Sequence, residues 1–236
     1  MPTQRILVCN AKGGCGKTTI ATNIASYYAS QGKNVRLFDY DNQGSSLHWN
    51  KRRPPQYAEI DVVNASRSPG NHMTRSWQMR VPVETDLVVI DTPAGIDASD
   101  LASMLKENDK VIIPVLPSPL DIHATAYFIK DILLIGKARK KQVGIGVVAN
   151  RVRKNTLSYR SLERFLMALK LPFVSSLRDT QFYAKAIEQG LGIMDIKLSA
   201  TRKDHEQWQT LIDWIDRPAE TGQVDLGSLP CEKVPA

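Results

Sequence analysis

The stretch Lys12-Gly13-Gly14-Cys15-Gly16-Lys17-Thr18-Thr19 follows directly on the apolar run Ile6-Leu7-Val8-Cys9. A strand that feeds a glycine-rich turn and then a helix builds a phosphate cradle. The glycines let backbone N–H groups close on the oxygens, and the helix presents the positive end of its dipole. On this reading Gly13, Gly14, Cys15, Gly16, Lys17, Thr18 and Thr19 line a nucleotide. Lys17 neutralises β/γ-phosphate charge, and the Thr18 hydroxyl ligates Mg²⁺. The alternative is a surface turn rich in glycine and lysine. The usual phosphate-loop pattern has a glycine five residues before Gly16, where Ala11 stands; a second lysine, Lys12, opens the loop instead.

Two further stretches fall where such a fold needs them. Leu87-Val88-Val89-Ile90-Asp91 is an apolar strand ending in a carboxylate, and Asp91 would hold Mg²⁺ through water. Val35-Arg36-Leu37-Phe38-Asp39-Tyr40-Asp41 carries two carboxylates at a strand end; a helix-capping Asp-x-Asp turn is the other reading. Asn150 closes another strand and is followed by Arg151. An Asn amide pairs one donor with one acceptor in a plane, matching the adenine edge, although Asn is also an ordinary turn residue.

The 236 residues, 42% of them hydrophobic, suffice for one substantial core, expected over 1–216, with a mobile Pro- and Gly-rich tail over 217–236. Short β-branched runs alternate with helical patterns, which predicts an α/β fold with a parallel sheet covered on both faces. Strands are expected over 6–10, 35–39, 60–64, 87–91, 111–115, 143–149 and 173–174. Helices are expected over 18–30, 99–107, 121–135, 157–169, 180–189 and 202–215. The last carries Trp208, Leu211, Ile212, Trp214 and Ile215 and is expected to seal the sheet edge. Residues 49–80 read as an irregular insertion holding one strand and one short helix.

Cys9, Cys15 and Cys231 form no C-x-x-C pair, which argues against a disulfide scaffold or a zinc site. No signal-peptide core and no apolar run of about 18 residues is present, so a soluble, cytoplasmic protein is expected. The net charge of +7 suits a phosphate backbone or another anionic surface.

The double-lysine loop Lys-Gly-Gly-x-Gly-Lys-Thr-Thr resembles the deviant Walker A motif of the ParA/MinD family of ATPases, and the likeness runs from Arg5 to about Ile215. It implies a P-loop NTPase fold, ATP with Mg²⁺, and weak basal hydrolysis to ADP and phosphate. It also implies an ATP-bound homodimer in which Lys12 reaches the partner's phosphates. In the family's Asp-x-Asp-Pro-Gln switch, Asp41 would orient the attacking water and Asp39 would support the magnesium shell; Asn42 departs from the proline. Asn150 and Arg151 would read adenine.

Absent features narrow the branch. Cluster-carrying members need paired cysteines, membrane-sweeping members end in a basic amphipathic helix, and large partition ATPases begin with a helix-turn-helix domain. What remains resembles the small ParA type, whose ATP dimer binds nucleoid DNA without sequence preference. A ParB-like or cargo-adaptor partner then stimulates hydrolysis, moving a plasmid, a chromosome origin, a chemoreceptor cluster or a carboxysome. From 137 to 185 twelve lysines and arginines face only Glu163 and Asp179. By the resemblance Arg178, Lys185, Lys197, Arg202 and Lys203 would contact DNA phosphates, with no membrane partner. The rival readings are a MinD-like membrane-bound regulator and a dethiobiotin-synthetase-like ATP-dependent ligase.

Overall fold

Strands buried on both faces need near-continuous apolar runs, and this chain supplies them. In the computed structural model, which describes residues 2–66, 74–137, 143–168, 171–197 and 199–218, the runs form one seven-stranded parallel sheet in the order β3-β2-β4-β1-β5-β6-β7. The strands are β1 (Gln4–Val8), β2 (Val35–Asp39), β3 (Asp61–Asn64), β4 (Leu87–Asp91), β5 (Lys110–Val115), β6 (Gly144–Val152) and β7 (Phe173–Arg178). Every residue of β4 and β5 is buried.

Alternate residues of β1, β2, β4, β5 and β6 feed two cores. Leu7, Val88, Val111 and Val147 point to one face, covered by α4 (Ala98–Glu107), α5 (Pro119–Lys137) and α6 (Leu157–Ala168). Ile6, Val8, Val89 and Val148 point to the other, covered by α1 (Lys17–Ser30), α2 (Ser45–Asn50), α7 (Gln181–Glu188) and α8 (Arg202–Asp216). The short α3 (Arg75–Gln78) lies in the connection from β3 to β4. Trp208, Leu211, Ile212 and Ile215 of α8 are fully buried, each worth about 1.5–3 kcal/mol. The last helix thus packs against the sheet, as its apolar spacing predicts.

The register sets the site. Val8 pairs with Asp91, and Asp91 pairs with Asp39, so the ends of β1, β4 and β2 lie side by side. The chain leaves β1 toward β2 on one side, while β5 leads to β6 and β7 on the other. Ligands of open parallel sheets bind outside the carboxyl ends of the strands where the direction reverses.

Several boundaries differ from expectation: β7 runs four residues past the expected 174, and β1 starts two residues before the expected 6. β1 ends at Val8 rather than at residue 10 because Asn10 leaves the ladder: its Nδ2 donates to the Pro114 carbonyl (2.7 Å) and the Thr125 hydroxyl (3.1 Å). β6 runs on to Val152 through a register shift in which Arg151 takes φ +52°, a left-handed conformation rare outside glycine. Residues 219–236, with Cys231 and most of the expected tail, lie outside the described residues, as do Arg139, Lys140, Lys141 and Lys170 of the basic tract. Among the described residues no helix is long and apolar enough to cross a membrane.

Candidate nucleotide site

The loop that follows β1 is shaped by backbone no other residue type accepts cheaply. Gly14 and Gly16 lie at φ +74° and +96°, and a Cβ on Gly16 would stand 2.1 Å from the Asn150 amide nitrogen. That nitrogen donates to the Cys15 carbonyl (2.8 Å), while Asn150 Oδ1 accepts the Arg151 amide (3.0 Å). Asn150 is therefore a buried brace beneath the loop. One of its N–H groups and one lone pair are already spent there, a use the adenine-edge reading does not anticipate.

The two lysines divide. Lys17 is buried, and its ammonium donates to the Lys12 carbonyl at 2.8 Å. Lys12 is half-buried, with its amide held by Asn10 Oδ1 (3.1 Å). Neither Asn10 nor its bond to Lys12 is marked by any motif. The Cys15 thiol donates to the same Lys12 carbonyl (3.3 Å), and burial pushes its pKa up, so it packs as a neutral group.

Asp91 and Asp39 take different parts. Asp91 is fully buried, and burial raises its pKa to about 7, against the pull of the Thr18 and Ser46 hydroxyls. Ser46 Oγ donates to Asp91 Oδ2 (2.8 Å), whereas Asp91 Oδ1 has no hydrogen-bond partner. An orphaned buried carboxylate oxygen beside Thr18 fits a hydrated divalent cation, whose charge would replace the proton Asp91 otherwise holds near neutrality. No cluster of three His, Cys, Asp or Glu side chains exists among the described residues. Such a cation would draw its other ligands from water and phosphate oxygens, as Mg²⁺ does.

Asp39, expected in the magnesium shell, is also tied to the backbone. Its Oδ2 accepts the Ser46 and Leu47 amides (3.0 and 3.2 Å), and its Oδ1 accepts the Asp41 amide (3.0 Å). Those bonds cap the first turn of α2, so Asp39 holds the switch loop to the sheet. Asp41 sits half-buried on that loop, its Oδ1 accepting the Gln43 amide (2.9 Å) and its carbonyl the Gly44 amide (2.9 Å). The turn closes without the proline that Asn42 replaces.

Ser46 is the residue sequence reading misses, because nothing local marks a serine five residues beyond an aspartate. Ser46→Ala strips the bond from Asp91 Oδ2, and hydrogen bonds to charged groups are worth about 1.5–3 kcal/mol. The Mg²⁺ concentration for half-maximal nucleotide binding should rise about tenfold, which isothermal titration at graded Mg²⁺ measures, and Ser46→Thr should restore it.

The residues expected at a nucleic-acid face do not stand alike. Arg178 is clamped to the fully buried Asp204 (Nε–Oδ1 2.6 Å, Nη2–Oδ2 2.7 Å) and donates to the Ala200 carbonyl (2.8 Å). Arg178 thus ties β7 to α8, its charge paired with Asp204. Lys185, Lys197, Arg202 and Lys203 are exposed, Arg202 in an exposed pair with Glu206 (3.1 Å). Arg151 and Arg153 share Asp179 (3.7 and 2.7 Å).

A glycine loop between β1 and α1, a buried lysine, and carboxylates ending the two adjacent strands define a P-loop nucleotide-binding domain. Residues 6–193 match the CobQ/CobB/MinD/ParA nucleotide binding domain, and the chain belongs to that ParA/MinD family. Among its relatives is maintenance of carboxysome distribution protein A of Halothiobacillus neapolitanus, 30% identical over 204 residues, covering 81% of this chain and 87% of that protein. A plasmid partition protein of Borrelia burgdorferi bound to AMPPNP superposes with a TM-score of 0.66 at 17% identity, covering 90% of this chain and 98% of that one. A McdA–ATP complex from Cyanothece gives a TM-score of 0.66 at 15% identity, covering 94% and 99%.

Proposed function

We propose that this chain is a ParA-type ATPase that dimerises on Mg²⁺-ATP, binds DNA without sequence preference in that state, and positions a cargo. The cargo the relatives favour is the carboxysome, the one named for the 30%-identical protein. The observation that carries the reading is the pair of lysines. Lys17 is folded into the loop, while Lys12 stands at its mouth with no carboxylate partner among the described residues.

Lys17 and the loop amides would hold the phosphates, and Thr18 and Asp91 would hold the cation. Asp41, on the loop between β2 and α2, would orient the attacking water, and Lys12 would enter the neighbouring protomer's site. A bound Mg²⁺ would neutralise phosphate charge. A partner protein on the cargo would stimulate hydrolysis and release the dimer from the nucleoid. Membrane-bound regulation is separated by vesicle sedimentation with ATP, and ligase chemistry by turnover on adding small carboxylates.

DNA binding is tested at the exposed cations. Removing a cation that neutralises one phosphate lowers the salt slope by about one unit. Arg202→Glu with Lys203→Glu should weaken binding to random-sequence duplexes at least about tenfold and flatten its salt dependence, with ATP affinity unchanged. Equal binding by wild type in ATP, ADP and no nucleotide would remove the switch from the scheme.

A further inference from the structure

Helix α2 holds a different part of the molecule at each end. Its first turn is fixed to the two site carboxylates through Ser46 and Leu47. From its last turn Trp49, 1% exposed, donates its indole N–H to the Leu191 carbonyl (3.1 Å). Three residues past the helix, Arg53 Nη1 donates to the Gly190 carbonyl (3.1 Å), the Ser26 hydroxyl (3.1 Å) and Asp195 Oδ2 (3.2 Å). The guanidinium also lies over the rings of Trp49 and Tyr57, 5.6 and 5.5 Å from their centroids. The two segments cross so closely that a Cβ on Gly190, at φ +68°, would come within 2.3 Å of the Arg53 amide nitrogen.

Asp195 is where these elements meet. Its Oδ2 also accepts the Ser26 hydroxyl of α1 and the Gly192 amide (2.9 Å), while Asn23 of α1 receives the Ile193 amide (2.6 Å). On the far side, the Ile193 carbonyl meets His205 Nε2 (2.9 Å) and the Ile196 carbonyl accepts the Thr201 hydroxyl (2.9 Å). Lys197, Arg202 and Lys203 stand on those same turns.

The Arg53–Asp195 pair is 4% and 5% exposed, and Arg53 Nη2 is buried without a hydrogen-bond partner. A buried pair that leaves a donor unsatisfied is a poor device for stability, since desolvation offsets its Coulomb gain; fixing a register or a switch is the better-attested use. Gly44, at φ +63°, joins the Asp41 turn to α2. Any change in how Asp91 and Asp39 are engaged reaches α2 through Ser46, and α2 has no free end to absorb it.

We propose that Arg53 and Asp195 are the joint through which nucleotide occupancy repositions residues 190–197 and the start of α8, and with them Lys197, Arg202 and Lys203. The coupling is a property of the fold; only its use on DNA rests on the function proposed above. The physical content is one short helix whose position both sites bias.

Hydrogen–deuterium exchange of the full chain, with and without Mg²⁺-AMPPNP, tests it. In wild type, peptides from the 12–20 loop and from 190–197 and 199–207 should change exchange together, severalfold or more. Arg53→Met with Asp195→Leu replaces the pair by apolar groups of similar volume, and it should keep the loop response while losing the distal one. Trp49→Phe, which keeps an aromatic ring and drops the N–H to Leu191, should reduce the distal response. A wild-type loop response with no distal change overturns the proposal, and so does an unaltered distal response in both variants. No response at the loop itself overturns it too, because the input would be absent. A retained distal response with DNA binding indifferent to nucleotide upholds the joint and sinks the DNA reading.

Discussion

Asp41→Ala should reduce ATP hydrolysis by about 10²–10⁴-fold while leaving ATP affinity within a small factor of wild type. Its carboxylate lies on the loop between β2 and α2, half-buried, and accepts a backbone amide of its own turn. The groups proposed to hold the phosphates are elsewhere, in the loop and at Lys17. A positioned side chain that orients water or takes its proton supplies about 10²–10⁴-fold in rate, and binding has no share in that term. Single-turnover hydrolysis beside fluorescent-nucleotide titration separates the two. Lost ATP binding in Asp41→Ala would make the residue part of the turn rather than of the chemistry. Fast wild-type turnover without a partner would count against a switch-type ATPase.

How far the sequence reveals the site depends on the range of each signal. The loop, Lys17 and Asp91 are legible because a buried parallel strand writes itself as a continuous apolar run, and the residue after it must face the site. The ends of β1 and β6 are not, because they depend on where Asn10 and Asn150 find partners. Asn10 reaches Pro114 and Thr125, more than 100 residues away, and Asn150 reaches Cys15. No local spacing encodes such bonds.

Charge by itself does not show a residue's partners. Asp204, twenty-six residues on from Arg178, holds its guanidinium with both oxygens. Asp39, given a magnesium role by the family resemblance, also accepts the amides of Ser46 and Leu47. The sequence does mark a carboxylate as needed there. Which backbone groups it serves is set by the turn at Gly44, and that turn is visible only once the chain has folded.

Lys12 carries the other large effect. Its ammonium has no acidic partner among the described residues, so closing an interface over it without a counter-charge would strand a desolvated cation. A phosphate reaching it from a neighbouring protomer removes that cost, and in a twofold-symmetric dimer the exchange happens at both sites. Removing one partner of a buried charge pair typically costs about 3–5 kcal/mol, or roughly two to four powers of ten in a dissociation constant. In the Asp41→Ala background, where ATP persists, the otherwise unaltered chain should therefore run as a dimer by multi-angle light scattering with Mg²⁺-ATP. Adding Lys12→Ala or Lys12→Gln should return it to the monomer mass, with the melting temperature of the nucleotide-free protein unchanged because the ammonium makes no hydrogen bond or ion pair among the described residues. A Lys12→Ala dimer as tight as its parent would place the second lysine outside the interface and leave the sandwich without its distinguishing interaction.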